Sequence, residues 1–210
     1  MNTSQYKNVI VANGAFPESE RALSILRQAE TIICCDGAID KMLAHGFTPT
    51  VIVGDCDSML PENLERWKNI LYPDKSQEYN DLQKALKYCM QHNLDHMALL
   101  GCDGAREDHF IANISIMATY SQWLDLEMVT NFGTFNVIDK TTSFPSEQGQ
   151  QVSVFCKDEK LALSFEGLRY PVEKRSFSFL WEGSLNESEA DYFKIILHGG
   201  GKVLVYRANG

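Results

Sequence analysis

The apolar pattern of this chain changes once, near residue 130, and that change limits its fold more than any other feature. Before it, short apolar runs alternate with segments of helical period. Asn8 to Ala12, Thr31 to Cys35, Val51 to Val53, Ile70 to Tyr72 and His96 to Leu100 read as strands. Helices are expected over Pro17 to Ala29, up to Gly46, over Pro61 to Trp67, from Asp81, and over Asp108 to Trp123. Such alternation is the signature of an α/β fold built on an open, mainly parallel sheet, with ligands at the carboxyl ends of its strands. After residue 130, period-two segments at Gln151 to Cys156, Ser176 to Leu180 and Val203 to Tyr206 are separated by turn-rich pieces. These predict a small antiparallel β-sandwich. The expected organisation is an α/β domain over residues 1–130 and a sandwich over residues 131–210, the second small for independent stability. The run Gly199-Gly200-Gly201 before Lys202 lacks the spacing of a phosphate loop and is expected to be a hairpin turn.

Charge narrows the function classes. The 210 residues carry a net charge of -9, which argues against a nucleic-acid partner, since those binders present a basic stripe. An anionic nucleotide would need a metal here. The six cysteines contain no Cys-x-x-Cys, and Cys34 and Cys35 are adjacent, so neither a zinc site nor a disulfide framework is indicated. Reduced thiols suit a cytoplasmic protein. No apolar run approaches the ~18 residues of a membrane span.

Carboxylates mark the expected strand ends and helix starts, at Asp36-Gly37, Gly54-Asp55-Cys56-Asp57-Ser58, Asp81 and Gly104-Ala105-Arg106-Glu107-Asp108-His109. Any one of them alone reads as a cap or turn residue. As a set they suit a divalent cation and a polyphosphate gathered at one sheet edge. An extended 55–57 segment would project Asp55 and Asp57 to one side, where a cation relieves their repulsion; the alternative is an Asx-turn closing the strand. Asn80 and Gln83 predict a capping box that accounts for Asp81 in the first helical turn. Arg106 offers a planar fork to phosphate oxygens beside a helix N-terminus. Asn13-Gly14 and Asp36-Gly37 fall at the ends of expected strands, where a nucleotide would lie. His92 and His96 are given no role.

Read in order, Asp36-Gly37-Ala38, Gly54-Asp55-Cys56-Asp57-Ser58, Gln77-Glu78-Tyr79-Asn80-Asp81-Leu82 and Gly104 to His109 resemble the motif series of the thiamine pyrophosphokinases. The likeness continues through Gly167-Leu168-Arg169-Tyr170-Pro171 and Ser184-Leu185-Asn186-Glu187. It implies an α/β catalytic domain, a β-sandwich that helps bind thiamine, a homodimer with sites between subunits, and Mg²⁺-dependent transfer of the diphosphate of ATP to thiamine. On that resemblance Asp55, Asp57 and Asp81 are the magnesium carboxylates. Arg106 and Asp108 contact ATP or assist transfer, with Asp81 and Asp108 as candidates for any general base. Asn13, Gly14, Asp36, Gly37, Ser58 and His109 join Arg106 around the nucleotide. Gln77, Ser184 and Asn186 face thiamine, and Trp181 is a candidate for a cation-π contact with it. The sequence departs from the family pattern at Ala38, Glu78, Asn80, Ala105 and Leu185. Two other readings remain open: a haloacid-dehalogenase-like phosphatase with Asp55 as nucleophile, and a non-catalytic nucleotide sensor.

Overall fold

Local capping sets where the helices begin. In the computed structural model, which describes residues 6–57 and 59–209, α1 (Glu20–Gln28) starts at Ser19, whose hydroxyl accepts the Ala22 N–H. Helix α2 (Ile39–Ala44) follows a single 3-10 turn at Asp36–Ala38, and α3 (Pro61–Trp67) opens on its proline. Helix α4 (Asp81–Gln91) has the expected capping box: Gln83 N donates to Asn80 Oδ1 at 2.9 Å and Asn80 N to Gln83 Oε1 at 3.4 Å. Helix α5 (Glu107–Tyr120) completes the set.

Contacts divide the chain after Asn131. In the first unit the strands are β1 (Asn8–Val11), β2 (Thr31–Cys35), β3 (Val51–Gly54), β4 (Leu71–Pro73), β5 (Met97–Leu100) and β6 (Leu126–Val129). They lie in the order β6-β5-β1-β2-β3-β4, every pair parallel. Residues such as Ile10, Ile33, Ile52 and Leu99 are fully buried, as strands covered on both faces require. The chain moves outward from β1 to β4 and then returns to the other side of β1 at β5. That reversal is a topological switch point, the usual place for a ligand in an open sheet.

The second unit pairs two antiparallel sheets. Its strands are β7 (Gly133–Ile138), β8 (Thr142–Pro145), β9 (Gln151–Phe155), β10 (Leu163–Glu166), β11 (Asn186–Glu187), β12 (Tyr192–Leu197) and β13 (Val203–Ala208). One sheet runs β11-β9-β13-β7 and the other β10-β12-β8. Val152, Val154 and Val205 from the first meet Phe144, Phe165 and Phe193 from the second in one apolar cluster. The fold class is therefore the expected one, a mainly parallel α/β sheet with an antiparallel sandwich.

Two local expectations fail. Ser176 to Leu180 is not a strand: the Glu182 carboxylate accepts the N–H groups of Ser178 and Phe179 at 2.7 and 2.8 Å, and the chain winds into a 3-10 turn at Leu180–Gly183. The glycine run 199–201 is not a hairpin turn either. It joins β12 to β13, which belong to different sheets, so it carries the chain from one layer of the sandwich to the other. All six cysteines are free, and no described helix is long and apolar enough to cross a membrane.

Candidate active site

Because β5, β1, β2 and β3 are neighbours, the loops leaving their carboxyl ends lie side by side. The loops after β1 and β5 are joined directly, Gly14 N to Gly101 O and Ala15 N to Asp103 O, both at 2.7 Å. A Cβ on Gly14 would strike the carbonyls of Gly101 and Asp103, so only glycine permits this approach. Lys41 of α2 fixes the same loop, its Nζ donating to Asn13 O, Asn13 Oδ1 and Gly14 O at 3.0, 2.9 and 2.7 Å. Asn13 thus spends its side-chain oxygen within the protein.

After β2 the chain turns at once, and Asp36 faces Gly54 at the end of β3. The Asp36 carboxylate is fully buried and accepts the Gly37 and Cys56 N–H groups, each at 2.7 Å. Burial first, and then the nearby Asp81 carboxylate, push its pKa up to about 6. Asp55 and Asp57 follow β3, but not in extended backbone. Cys56 sits in the left-handed region at φ 67, and Asp57 N donates to Asp55 Oδ1 at 3.4 Å. The Asx-type turn and the carboxylate cluster are one structure, although strand alternation had separated them as alternatives. One carboxylate oxygen from each of Asp36, Asp55 and Asp57 lies within 4.8 Å of the other two.

Asp81 stands beside this group rather than in it. Lys84, one turn along α4, donates to Asp81 Oδ1 at 3.2 Å and to Asp55 Oδ2 at 2.9 Å, with a side chain only 2% exposed. Its bond holds the Asp55 carboxyl down at about 2. Burial draws the ammonium's own pKa down, but the bonds to Asp55 and Asp81 outweigh it and leave the group above its usual value. Sequence reading missed Lys84; the one available signal was its i,i+3 spacing from Asp81. It also grouped Asp36 with the nucleotide rather than with the carboxylates. The Gln77 amide reaches Asp55 Oδ2 at 3.5 Å.

The β5–α5 loop adds a depression of about 240 Å³ lined by Gly104, Ala105, Arg106, Glu107 and Phe110. Arg106 and Asp108 are exposed and paired, Nε to Oδ1 at 3.1 Å and the terminal nitrogen to Oδ2 at 2.6 Å. That bond lowers the Asp108 pKa. Asp108 also accepts the His109 N–H, and the His109 ring is solvent-facing. Gly37 lies beside Asn13. Ser58 lies outside the described residues.

In the second unit Trp181 is 69% exposed and stacks on Phe179 with ring centroids 6.1 Å apart. Ser184 Oγ donates to Trp181 O at 2.6 Å. Leu185 is 80% exposed and left-handed at φ 58. Asn186 is buried, accepting the N–H groups of Tyr170 and Glu187 and donating to Tyr170 O. Its amide is committed to the backbone, whereas Trp181 and Leu185 are exposed and Ser184 is half-buried.

Three carboxylates are hard oxygen donors of the kind Mg²⁺ takes together with phosphate oxygens and water, so the donor set fits such an ion. Fold and site define a class: a parallel α/β unit with an acidic edge, joined to an antiparallel sandwich. Residues 22–129 match the family model of the thiamin pyrophosphokinase catalytic domain, and residues 133–206 match that of the thiamin pyrophosphokinase substrate-binding domain. The chain belongs to the thiamin pyrophosphokinase family. Thiamin pyrophosphokinase from Candida albicans has a similar structure, with a TM-score of 0.82 at 15% identity over 100% of this chain and 91% of that one. The Bacillus subtilis thiamine pyrophosphokinase gives 0.78 at 19% identity over 96% and 98%. A thiamin pyrophosphokinase family protein from Enterococcus faecalis gives 0.80 at 16% identity over 97% and 99%. At these identities the likeness speaks for the fold alone. Comparison with curated protein sequences gives no match.

Proposed function

We propose that this protein transfers the diphosphate of ATP to the hydroxyl of thiamine, giving thiamine diphosphate and AMP, as a cytoplasmic homodimer. The observation that carries the reading is the convergence of Asp36, Asp55 and Asp57 at the carboxyl edge of a parallel sheet, in a chain of this family. Mg²⁺ bound there would neutralise phosphate charge and align the oxygens of ATP. Asp55 and Asp57 are its principal holders, with Asp36 beneath them and Asp81 at their side.

The remaining roles are those that the family resemblance implies. The thiamine hydroxyl attacks the β-phosphorus, the bond to the α-phosphate oxygen breaks, and AMP leaves with the electron pair. Such transfers depend mainly on alignment and charge stabilisation. Arg106 exchanges Asp108 for a phosphate oxygen, a small cost for an exposed pair, and Asp108 becomes free to accept the hydroxyl proton. His109 and the loops at Asn13-Gly14 and Gly37 surround the nucleotide, and Ser58 is a further nucleotide contact on the resemblance alone. Residues 1–130 act as the catalytic, ATP-binding domain. Residues 131–210 act as the thiamine-binding and dimerisation domain, with Ser184 and the Trp181 face as acceptor contacts and Asn186 holding their turn; Gln77 is the acceptor group of the first domain. An acidic protein attracts the thiamine cation. The test is incubation of the purified chain with thiamine, ATP and Mg²⁺, followed by chromatography. Thiamine diphosphate and AMP in equal amounts are expected. Inorganic phosphate without AMP, or Mg-ATP binding without turnover, would overturn the reading.

A further inference from the structure

A lysine with a 2%-exposed side chain, bonded to two carboxylates of a metal-binding edge, is an expensive arrangement for a chain to keep unless the charge acts there. We propose that Lys84 is a built-in counter-cation that competes with the divalent ion for Asp55 and Asp81, so that loading the site exchanges a fixed single charge for a mobile double one. This inference deepens the functional reading above and rests on it. Lys84 is here a positioning residue: it touches the carboxylates, not the reacting atoms.

The geometry favours competition over simple support. Asp55 Oδ2 takes the ammonium at 2.9 Å while Asp55 Oδ1 takes the Asp57 N–H at 3.4 Å. Both oxygens are therefore engaged before any cation arrives. Asp81 Oδ1 is engaged by the same nitrogen at 3.2 Å. The ammonium is bonded to Asp55 and Asp81, and the charges of those two carboxylates reach the buried Asp36. Without it, the Asp36, Asp55 and Asp81 carboxylates would repel one another with no ammonium bonded between Asp55 and Asp81. Lys84 thus lets the unit fold with its acidic edge intact and no metal. The same positive charge must then repel the incoming ion and weaken its hold.

The two effects have opposite signs, which makes them separable. Mn²⁺ titration by electron paramagnetic resonance, and thermal melting in EDTA and in saturating Mg²⁺, are to be run on the full chain and on Lys84→Met, which keeps the aliphatic stem. Lys84→Met should bind Mn²⁺ about tenfold tighter or more. It should melt lower than wild type in EDTA and gain more from Mg²⁺ than wild type does. Equal or weaker Mn²⁺ binding would overturn the proposal, because it would make Lys84 a clamp that organises the ligands. A variant folded in Mg²⁺ and unfolded in EDTA supports the proposal. If Lys84→Met is unfolded in both, Lys84→Gln decides by the same readings; if that too is unfolded in both, the charge is structural and the proposal falls. None of these measurements contains thiamine or ATP, so loss of the diphosphotransfer reading would appear separately, as wild-type protein that makes no thiamine diphosphate.

Discussion

Gly54 is the position on which the acidic edge is built, and replacing it by alanine tests the site without touching a carboxylate. A Cβ there would lie 2.6 Å from Asp36 Oδ2 and 2.8 Å from Asp36 Cβ, about 1 Å inside normal contact. The Asp36 Cβ is not the tip of a flexible chain, and the carboxylate is fully buried, so Asp36 must move with its backbone or abandon its position. Overpacking of this kind costs about 1–3 kcal/mol. Losing the Cys56 N–H bond to a charged acceptor adds about 1.5–3 kcal/mol. The sum, about 2.5–6 kcal/mol, corresponds to a melting temperature lower by roughly 10 °C or more. At pH 7.5 the displaced carboxylate escapes its burial and its repulsion from Asp81, which offsets part of the loss; at pH 5, where Asp36 is mostly protonated, that offset is absent but the lost Cys56 bond is to a neutral acceptor, about 0.5–1.5 kcal/mol. Differential scanning calorimetry in EDTA at both pH values, with Gly200→Ala as a control that meets nothing within 4 Å, measures the loss. Mn²⁺ binding should weaken about tenfold, since Asp36 leaves the cluster. A Gly54→Ala protein that melts within about 2 °C of wild type and binds Mn²⁺ normally would refute the claim that Asp36 and Asp55 are set by this close approach.

Further outcomes follow from the same geometry. Asp57→Asn should cut turnover by orders of magnitude and raise the Mg²⁺ requirement in steady-state kinetics, with metal-free melting unchanged or higher; near-normal turnover with a clearly lowered melting temperature would make Asp57 a turn residue only. In EDTA the folded protein should lose stability as pH rises from about 4 to about 6. Asp36 is raised from 3.8 to about 6, so the native state binds more protons than the unfolded chain across that window. Asp55 acts oppositely, its contribution present above 3.8 and lost as pH falls towards about 2; calorimetry across pH 2 to 8 reads both, and a flat profile between 4 and 6 would count against the buried state of Asp36. Trp181→Ala should raise KM for thiamine about tenfold and leave KM for ATP and the melting temperature unchanged, as an exposed cation-π face predicts; a lowered melting temperature with normal KM would assign the ring to packing.

How much of this was legible depended on whether a local rule decided the outcome. Thr31–Cys35 and Pro61–Trp67 have the expected bounds, because an apolar run between polar breaks and a proline at a helix start are local signals. The Asn80 and Gln83 capping box is equally local. The sandwich was legible as a class but poorly strand by strand. Leu163–Glu166 is four residues long with three consecutive buried positions, so it shows no alternation to detect. Ser176 to Leu180 does alternate, yet its backbone donors are taken by Glu182, a contact that no periodicity reveals. The glycine run was read as a hairpin because length alone does not tell a return to the same sheet from a crossing to another. In the site, the carboxylates were legible by type and position, whereas Lys84 looks in sequence like any charged residue of an amphipathic helix.

The 55–57 segment shows why the right residues can be found through incomplete geometry. Strand alternation would place Asp55 and Asp57 together and send Cys56 away, which requires extended backbone through residue 57. The strand instead ends at Gly54, and the left-handed Cys56 bends the chain. That bend sends the Cys56 N–H to Asp36 Oδ2 and the Asp57 N–H towards Asp55. Two backbone donors thereby enter the cluster that an extended segment would have aimed elsewhere. A left-handed non-glycine residue costs of order 1–3 kcal/mol, and these donors, together with the Lys84 ammonium, are the compensation visible beside it. Carboxylates gathered for a cation repel one another in its absence, so the fold needs some positive partner at this edge before any ligand binds. It takes that partner from its own backbone and from one buried lysine, and the bond Lys84 makes to Asp55 is therefore part of the same solution as the strained turn at Cys56.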